Sequence, residues 1–277
     1  MIDEAIGIAG VTVRRAARLP ALLEGAVRVG PYSTARPGAL LRVVPGVGRF
    51  LAQGGDRLEY WLEPGADEGA AEALLKGGVL GALIHQRGEL PLHASTLVSP
   101  DGEMAVAIAG HSGAGKSTTA YALALRGWAL LGEDLTRVTI EEGKPLAWPG
   151  RGRLRLLDDA CASFGLDPAS LAQAPNGQGK YLLEPERRDR PAPLGAVVVL
   201  DRSPAEPRLD PVGGAAAVGL IAEHTYRPHY VSALGQGRRH FQLVAAVAAG
   251  ARVLHSRGRA SVGEVADALL SSLKPST

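Results

Sequence analysis

Residues 105–126 read AVAIAGHSGAGKSTTAYALALR, and this stretch decides the fold. It opens with five small apolar residues uninterrupted by a polar one, as in a strand buried on both faces. Gly110, His111, Ser112, Gly113, Ala114, Gly115, Lys116 and Ser117 then satisfy G-x-x-x-x-G-K-[ST] at every fixed position. Good helix formers follow, from 116 to 126. A strand that turns through glycines into a helix is the setting in which this motif cradles phosphate. Gly110, Gly113 and Gly115 let the backbone curl so that its N–H groups aim at phosphate oxygens. Lys116 supplies a point charge for the β- and γ-phosphates, the Ser117 hydroxyl a ligand for Mg²⁺, and Thr118 completes the binding segment. These residues imply an α/β domain that binds a nucleoside triphosphate.

Outward from this loop the chain reads as alternating short strands and helices. Residues 92–99 and 103–109 predict two strands joined by a Pro-Asp-Gly turn. After the helix come a strand over 128–131, a break at Gly132 and a strand over 135–140. GAVVVLD at 195–201 predicts another fully buried strand. Helices are predicted over 213–223, 239–249 and 262–273, the last opened by a capping box of Ser261 and Glu264. The polar, Pro/Gly-rich stretch 163–193 predicts a mobile loop. Upstream, 38–44, 48–53 and 57–63 are β-rich runs separated by turn residues. A helix over 67–86 carries Ala71, Leu74, Leu75, Val79 and Leu83 at helical spacing, interrupted by Gly77, Gly78 and Gly81. The pattern changes near residue 90, which divides a small N-terminal α/β module (1–90) from the P-loop domain (91–277).

Composition narrows the function classes. The chain has 277 residues, 30 Lys+Arg against 28 Asp+Glu, and a net charge of +2, which argues against a dedicated nucleic-acid binder. Apolar residues are 46% but aromatic ones only 4%, so the core must be aliphatic. The longest apolar run, 243–251, is nine residues, half the length of a membrane span. The N-terminus is acidic where a signal peptide is basic. A single cysteine, Cys161, excludes an internal disulfide framework and reads as a small core residue. A cytoplasmic protein that binds neither nucleic acid nor membrane is the expectation.

What the chain does with a bound phosphate depends on nearby acids. P-loop proteins hold their metal with an acid at the end of a buried strand, and there are two candidates. Asp201 ends the 195–201 run, where an Asp before Arg-Ser-Pro is equally a turn starter. Glu133 and Asp134 lie 16 and 17 residues after Ser117, at the end of the returning strand. Two adjacent acids there can serve as metal ligand and general base, which is chemistry for transferring phosphate to a hydroxyl.

With these residues assembled, LHASTLV (92–98) followed by AIAGHSGAGKSTTAYALALRGWALLGEDLTRV (107–138) resembles the catalytic domain of HPr serine kinase/phosphorylases. More narrowly, VGRFLAQGGDRLEYWLEPGADE (47–68), GALIHQRGELPLHAS (81–95) and HTYRPHY (224–230) are similar to the HPr-kinase homologues encoded beside lasso-peptide biosynthetic genes. The resemblance runs from about residue 45 to the end. It implies a phosphoenolpyruvate-carboxykinase-like P-loop kinase fold, ATP and Mg²⁺, and a seryl hydroxyl as acceptor. The acceptor it points to is the C-terminal Ser of a lasso precursor peptide, and the family also allows a homo-oligomer. By position, Glu133 falls on the family's general base, Asp134 on its metal-associated Asp, and His93 on the His beside the phosphates. The first acid is Glu where the family has Asp, and the family's C-terminal signature for HPr is not recognisable.

Other candidates are more peripheral. Arg151, Arg153 and Arg155 alternate, so an extended chain puts them on one face, either as a charged edge or as a phosphate clamp led by Arg155. Lys180, in a Gly-rich segment, is either solvated or carried by a loop to the transferred phosphate. His224, His229 and His240 lack metal-ligand spacing and read as structural, and His111 as a contributor of backbone. The sum is a kinase in which Lys116 stabilises charge, Ser117 and Asp134 hold the metal, and Glu133 accepts the proton. A kinase for another protein or a small hydroxyl compound, and a nucleotide-binding sensor, are the alternatives.

Overall fold

The computed structural model describes residues 8–150, 153–174, 179–203, 206–258 and 261–273. It is a mixed α/β protein of two compact units. One comprises 1–91 with 225–244, the other 92–224 with 245–277. The return of 225–244 to the first unit is a long-range feature that reading along the chain does not announce.

In the first unit a six-stranded sheet runs Thr12–Arg15, Arg57–Leu62, Gly48–Gln53, Ala39–Val44, Ser33–Arg36, Val27–Gly30. Its first pair is parallel and the remainder antiparallel. Alternation in Arg57–Leu62 sends Leu58, Tyr60 and Leu62 inward, where they join Leu40, Phe50 and Ala52. Against them pack Ala71, Leu75, Val79, Ala82 and Leu83 of the following helical stretch. Asp67 caps that stretch by accepting from Gly69 N at 2.8 Å. The expected single helix is instead two, Glu68–Leu74 and Leu80–Gln86, joined by a π-turn over Leu75–Val79. Gly77 takes non-helical angles (φ −96°, ψ −110°) within it. From the 225–244 segment, Tyr230 and Leu234 complete this core.

The second unit is built on three parallel strands, Ala105–Gly110, Ala192–Asp201 and Arg252–Arg257, in that order. Antiparallel strands Ala94–Val98 and Ala129–Gly132 extend the sheet beyond the first, and Arg208–Val212 beyond the last. The N-terminal end of the long strand pairs instead with Lys144–Trp148, itself hairpinned to Thr136–Glu141. Ala105–Gly110 is buried at every position, as its sequence predicts. Ile108, Val198, Leu200 and Leu254 meet Ala120 and Leu123 of the helix Lys116–Ala124, and Ala266 and Leu269 of the helix Val262–Leu273. Each fully buried Val, Leu or Ile among them stabilises by about 1.5–3 kcal/mol. Aliphatic content thus replaces the scarce aromatics. Cys161 is buried in the same core. The capping box forms in both directions, Glu264 N to Ser261 Oγ at 3.2 Å and Ser261 N to Glu264 Oε2 at 2.7 Å.

The 163–193 stretch differs from the expected loop. Lys180–Leu183 is a strand, paired antiparallel with Leu154–Leu157, and a short helical turn covers Pro168–Ser170. The cause is apolar alternation: Leu154, Leu156 and Leu183 all enter the core, which draws the strand back onto its partner. Among the described residues no helix is long and apolar enough to cross a membrane.

Candidate functional site

The site grows from the end of the strand Ala105–Gly110. Gly113 and Gly115 hold φ of 82° and 97°, the left-handed region that glycine enters without strain. Gly110 has a second constraint, since a Cβ there would lie 2.8 Å from the Leu200 carbonyl of the neighbouring strand. The loop therefore closes tightly over the sheet edge before entering the nine-residue helix Lys116–Ala124. Lys116 Nζ folds back and donates to Gly110 O (2.8 Å) and His111 O (3.2 Å). Burial pulls its pKa down, and the neighbouring Asp134 and Glu133 partly restore it. Lys180 adds a further downward push, so its ammonium shares this neighbourhood.

The acid pair sits where the strand Ala129–Gly132 ends. Leu135 N donates to Glu133 O at 2.8 Å, closing a γ-turn centred on Asp134 at φ 67°. This conformation is uncommon for a residue other than glycine, although Asp tolerates it better than most. The turn sends the two carboxylates apart. Glu133 points inward, and its Oε1 accepts from Ser117 Oγ at 2.6 Å. Its Oε2 is buried without a hydrogen-bond partner. Burial raises the Glu133 pKa, opposed by Ser117 and Ser95. Ser95 Oγ is close enough to act in this way, yet the pair falls short of hydrogen-bond geometry. Asp134 is half exposed, with Oδ1 3.1 Å from His93 Nε2. Burial pushes its pKa up, but the His93 hydrogen bond and the charges of His93, Arg155 and Lys116 outweigh it, leaving a net depression. His93 is itself positioned by its backbone N–H, which donates to His224 O at 2.8 Å.

The residues expected from sequence thus fall into two groups. Lys116, Ser117, Glu133, Asp134 and His93 come together, with Arg155 and Lys180 acting on them electrostatically. The structure joins Glu133, not Asp134, to Ser117. Asp201 follows Leu200, the strand partner of Gly110, and has partners of its own: its Oδ1 accepts from Ser203 N at 3.0 Å and its Oδ2 lies 3.8 Å from His255 Nε2. Arg155 is exposed on the strand Leu154–Leu157, and Arg153, just before that strand, pairs with Glu184 at 2.8 Å. Arg151 lies outside the described residues.

Two of the histidines, His111 and His224, meet in space. His111 contributes more than backbone, since its Nε2 lies 2.9 Å from Glu223 Oε1 and its ring meets His224 edge-on at 5.2 Å. His224 is buried, and desolvation lowers its pKa to about 4, so it is neutral and able to ligate at pH 7. One ligand atom from each of His111, Glu223 and His224 falls within 4.8 Å of the others. Two imidazoles and a carboxylate are a donor set that suits Zn²⁺. Spacing along the chain conceals this group because 112 residues separate His111 from Glu223. Ser95 stands in the LHAS stretch, but the sequence gives it no role of its own.

No family model and no curated protein matches this sequence. Among solved structures, the chain is similar to the HPr(Ser) kinase/phosphatase from Coxiella burnetii. That similarity has a TM-score of 0.36 and 15% identity, over 66% of this chain and 94% of the other.

Proposed function

We propose that this protein is an ATP-dependent kinase of the HPr-kinase type, on a carboxykinase-like fold, that phosphorylates a seryl hydroxyl of a peptide. The observation that carries the reading is the 2.6 Å bond from the P-loop Ser117 to Glu133, with Asp134 beside it on His93. A phosphate-binding lysine, a metal-ligand hydroxyl and two acids in distinct environments are the parts that phosphoryl transfer needs. The motif resemblance names the acceptor class, the C-terminal Ser of a lasso precursor peptide. A kinase that draws on ATP is expected in the cytoplasm.

The geometry supports an exchange of the roles expected for the two acids. Ser117 and Glu133 offer a hydroxyl and a carboxylate side by side, with one buried oxygen unpartnered, a hard-oxygen set that fits Mg²⁺. When bound, Mg²⁺ supplies neutralisation of phosphate charge. Asp134 is the acid an acceptor can reach, and its depressed pKa keeps it ionised at neutral pH. Its carboxylate accepts the hydroxyl proton as the seryl oxygen attacks, and His93 fixes its orientation. Lys116 meets the charge that builds on the γ-phosphoryl oxygens. Arg155 and Lys180 add positive charge around the acceptor end.

Two outcomes test this assignment. A His93→Ala variant loses the largest influence holding the Asp134 pKa down. The Asp134 pKa therefore rises, and the acidic limb of the kcat profile moves to higher pH. A charge-assisted hydrogen bond is worth about 1.5–3 kcal/mol, so kcat at the optimum falls about 10- to 100-fold. An unshifted acidic limb would separate His93 from the base. The acceptor is tested with γ-labelled ATP, Mg²⁺ and peptides that differ only in a terminal Ser or Ala. Label is expected on the Ser peptide alone. Equal labelling of both, or transfer only to a small hydroxyl compound, would discard the terminal-Ser assignment while leaving the kinase.

A further inference from the structure

Of the HTYRPHY segment, His224 belongs to the second unit, whereas 225–230 belong to the first. Its residues are held in place with some care. Tyr226 O lies 2.9 Å from the buried His85 Nε2, and Thr225 Oγ1 lies 2.9 Å from His240 Nε2. Tyr226 and Tyr230 are buried, whereas Arg227 and His229 are exposed between them. Arg227 adopts φ 53°, a left-handed conformation that costs a side-chain-bearing residue free energy.

These residues border a cavity of about 330 Å³, lined by Ser33, Arg42, Tyr32, Arg227, His229 and Tyr230 among others. Its polar groups converge closely. A Cβ placed on Gly78 would lie 3.1 Å from Arg42 Nη1, 3.3 Å from the Tyr230 hydroxyl and 3.9 Å from Arg227 Nε. Gly78 belongs to the π-turn Leu75–Val79, an irregularity often found at functional sites. Arg42 Nη1 reaches Ser33 Oγ at 3.5 Å, and Arg42 Nε is buried with no hydrogen-bond partner. Among the described residues, no carboxylate forms an ion pair with Arg42 or Arg227. His229 shares the positive field, its pKa lowered by burial and then by the Arg227 charge.

Two guanidinium groups crowded at one cavity wall repel each other, and an unbonded buried donor adds to the cost. An anion relieves both. We propose that this cavity is an oxyanion site, taking the carboxylate or phosphate group of a small or peptide ligand between Arg42 and Arg227, with the Tyr230 hydroxyl as a further donor. Guanidinium forks match both kinds of oxyanion bidentately. The volume lies at the small end of ligand sites, of about 300–1,000 Å³, which suits a group of amino-acid to dipeptide size. The assignment does not depend on the kinase reading.

Calorimetric titration tests it, with the P-loop saturated by a non-hydrolysable ATP analogue. The probes are inorganic phosphate, and a tripeptide offered with a free C-terminal carboxylate or as its amide. Saturable binding of phosphate, or of the free peptide but not its amide, is expected and identifies the oxyanion source. Affinity should weaken about tenfold or more in Arg227→Gln, and likewise in Arg42→Gln, with ATP-analogue binding unchanged. Arg227 is exposed, so its variant remains decisive if Arg42→Gln fails to fold. Without anion, Arg227→Gln should melt no lower than wild type, because it relieves the repulsion; with anion, only wild type should gain Tm. Failure of both probes to bind saturably, or equal affinity in Arg227→Gln, overturns the proposal.

Discussion

Asp134→Asn should lower the rate of phosphoryl transfer by about 10²–10⁴-fold, the range for loss of a general base. Nucleotide affinity should stay within a few fold. Asparagine is well suited to this test. It matches aspartate in size and shape, so it occupies the γ-turn at φ 67° as the native residue does. Its amide oxygen can still face His93, preserving the 3.1 Å contact. It cannot take up a proton. Single-turnover kinetics paired with an ATP-binding isotherm separates the effects. Should Asp134→Asn retain its rate while Glu133→Gln loses it, the base is Glu133 and the family assignment stands.

The second large effect belongs to Lys116. Replacing it with Met keeps the stem but removes the charge, and kcat should fall about 10²–10³-fold, as when one transition-state donor is lost. Nucleotide affinity should fall too. The bonds from Nζ to Gly110 O and His111 O hold the loop in its curled form, and the variant loses both. A pH signature accompanies this. Burial lowers the Lys116 pKa, so the ammonium discharges at a lower pH than a free lysine. Wild-type kcat/KM should therefore show an alkaline limb that Lys116→Met lacks.

The parts of this site that were legible in the sequence are those fixed by local chemistry. The strand Ala105–Gly110, the glycine loop and the helix Lys116–Ala124 follow from apolar runs, positive-φ glycines and helix formers in contiguous positions. So does the capping box at Ser261. The division of labour between Glu133 and Asp134 was not legible. It turns on one residue in a left-handed conformation, which "GED" does not advertise. Lys180 reads as a loop residue in the sequence because its strand is four residues long and finds its partner 23 residues upstream. Such strands are stabilised by pairing and burial, not by their own propensity. The strands Thr12–Arg15, Val27–Gly30 and Ser33–Arg36 are four residues each, too short for a periodicity to register. The His111–Glu223–His224 group and the Arg42–Arg227 cavity share a further cause, being assembled across more than a hundred residues of chain.

A kinase moves a phosphoryl group to a hydroxyl, whereas a sensor only holds its nucleotide. Phosphorus NMR of the protein with ATP, Mg²⁺ and a peptide ending in Ser follows every phosphate species at once. A phosphoserine resonance that grows in step with ADP, and is abolished in Asp134→Asn, is expected. ATP that binds but stays intact with every acceptor offered, or that yields ADP and inorganic phosphate with no phosphoester, would contradict it.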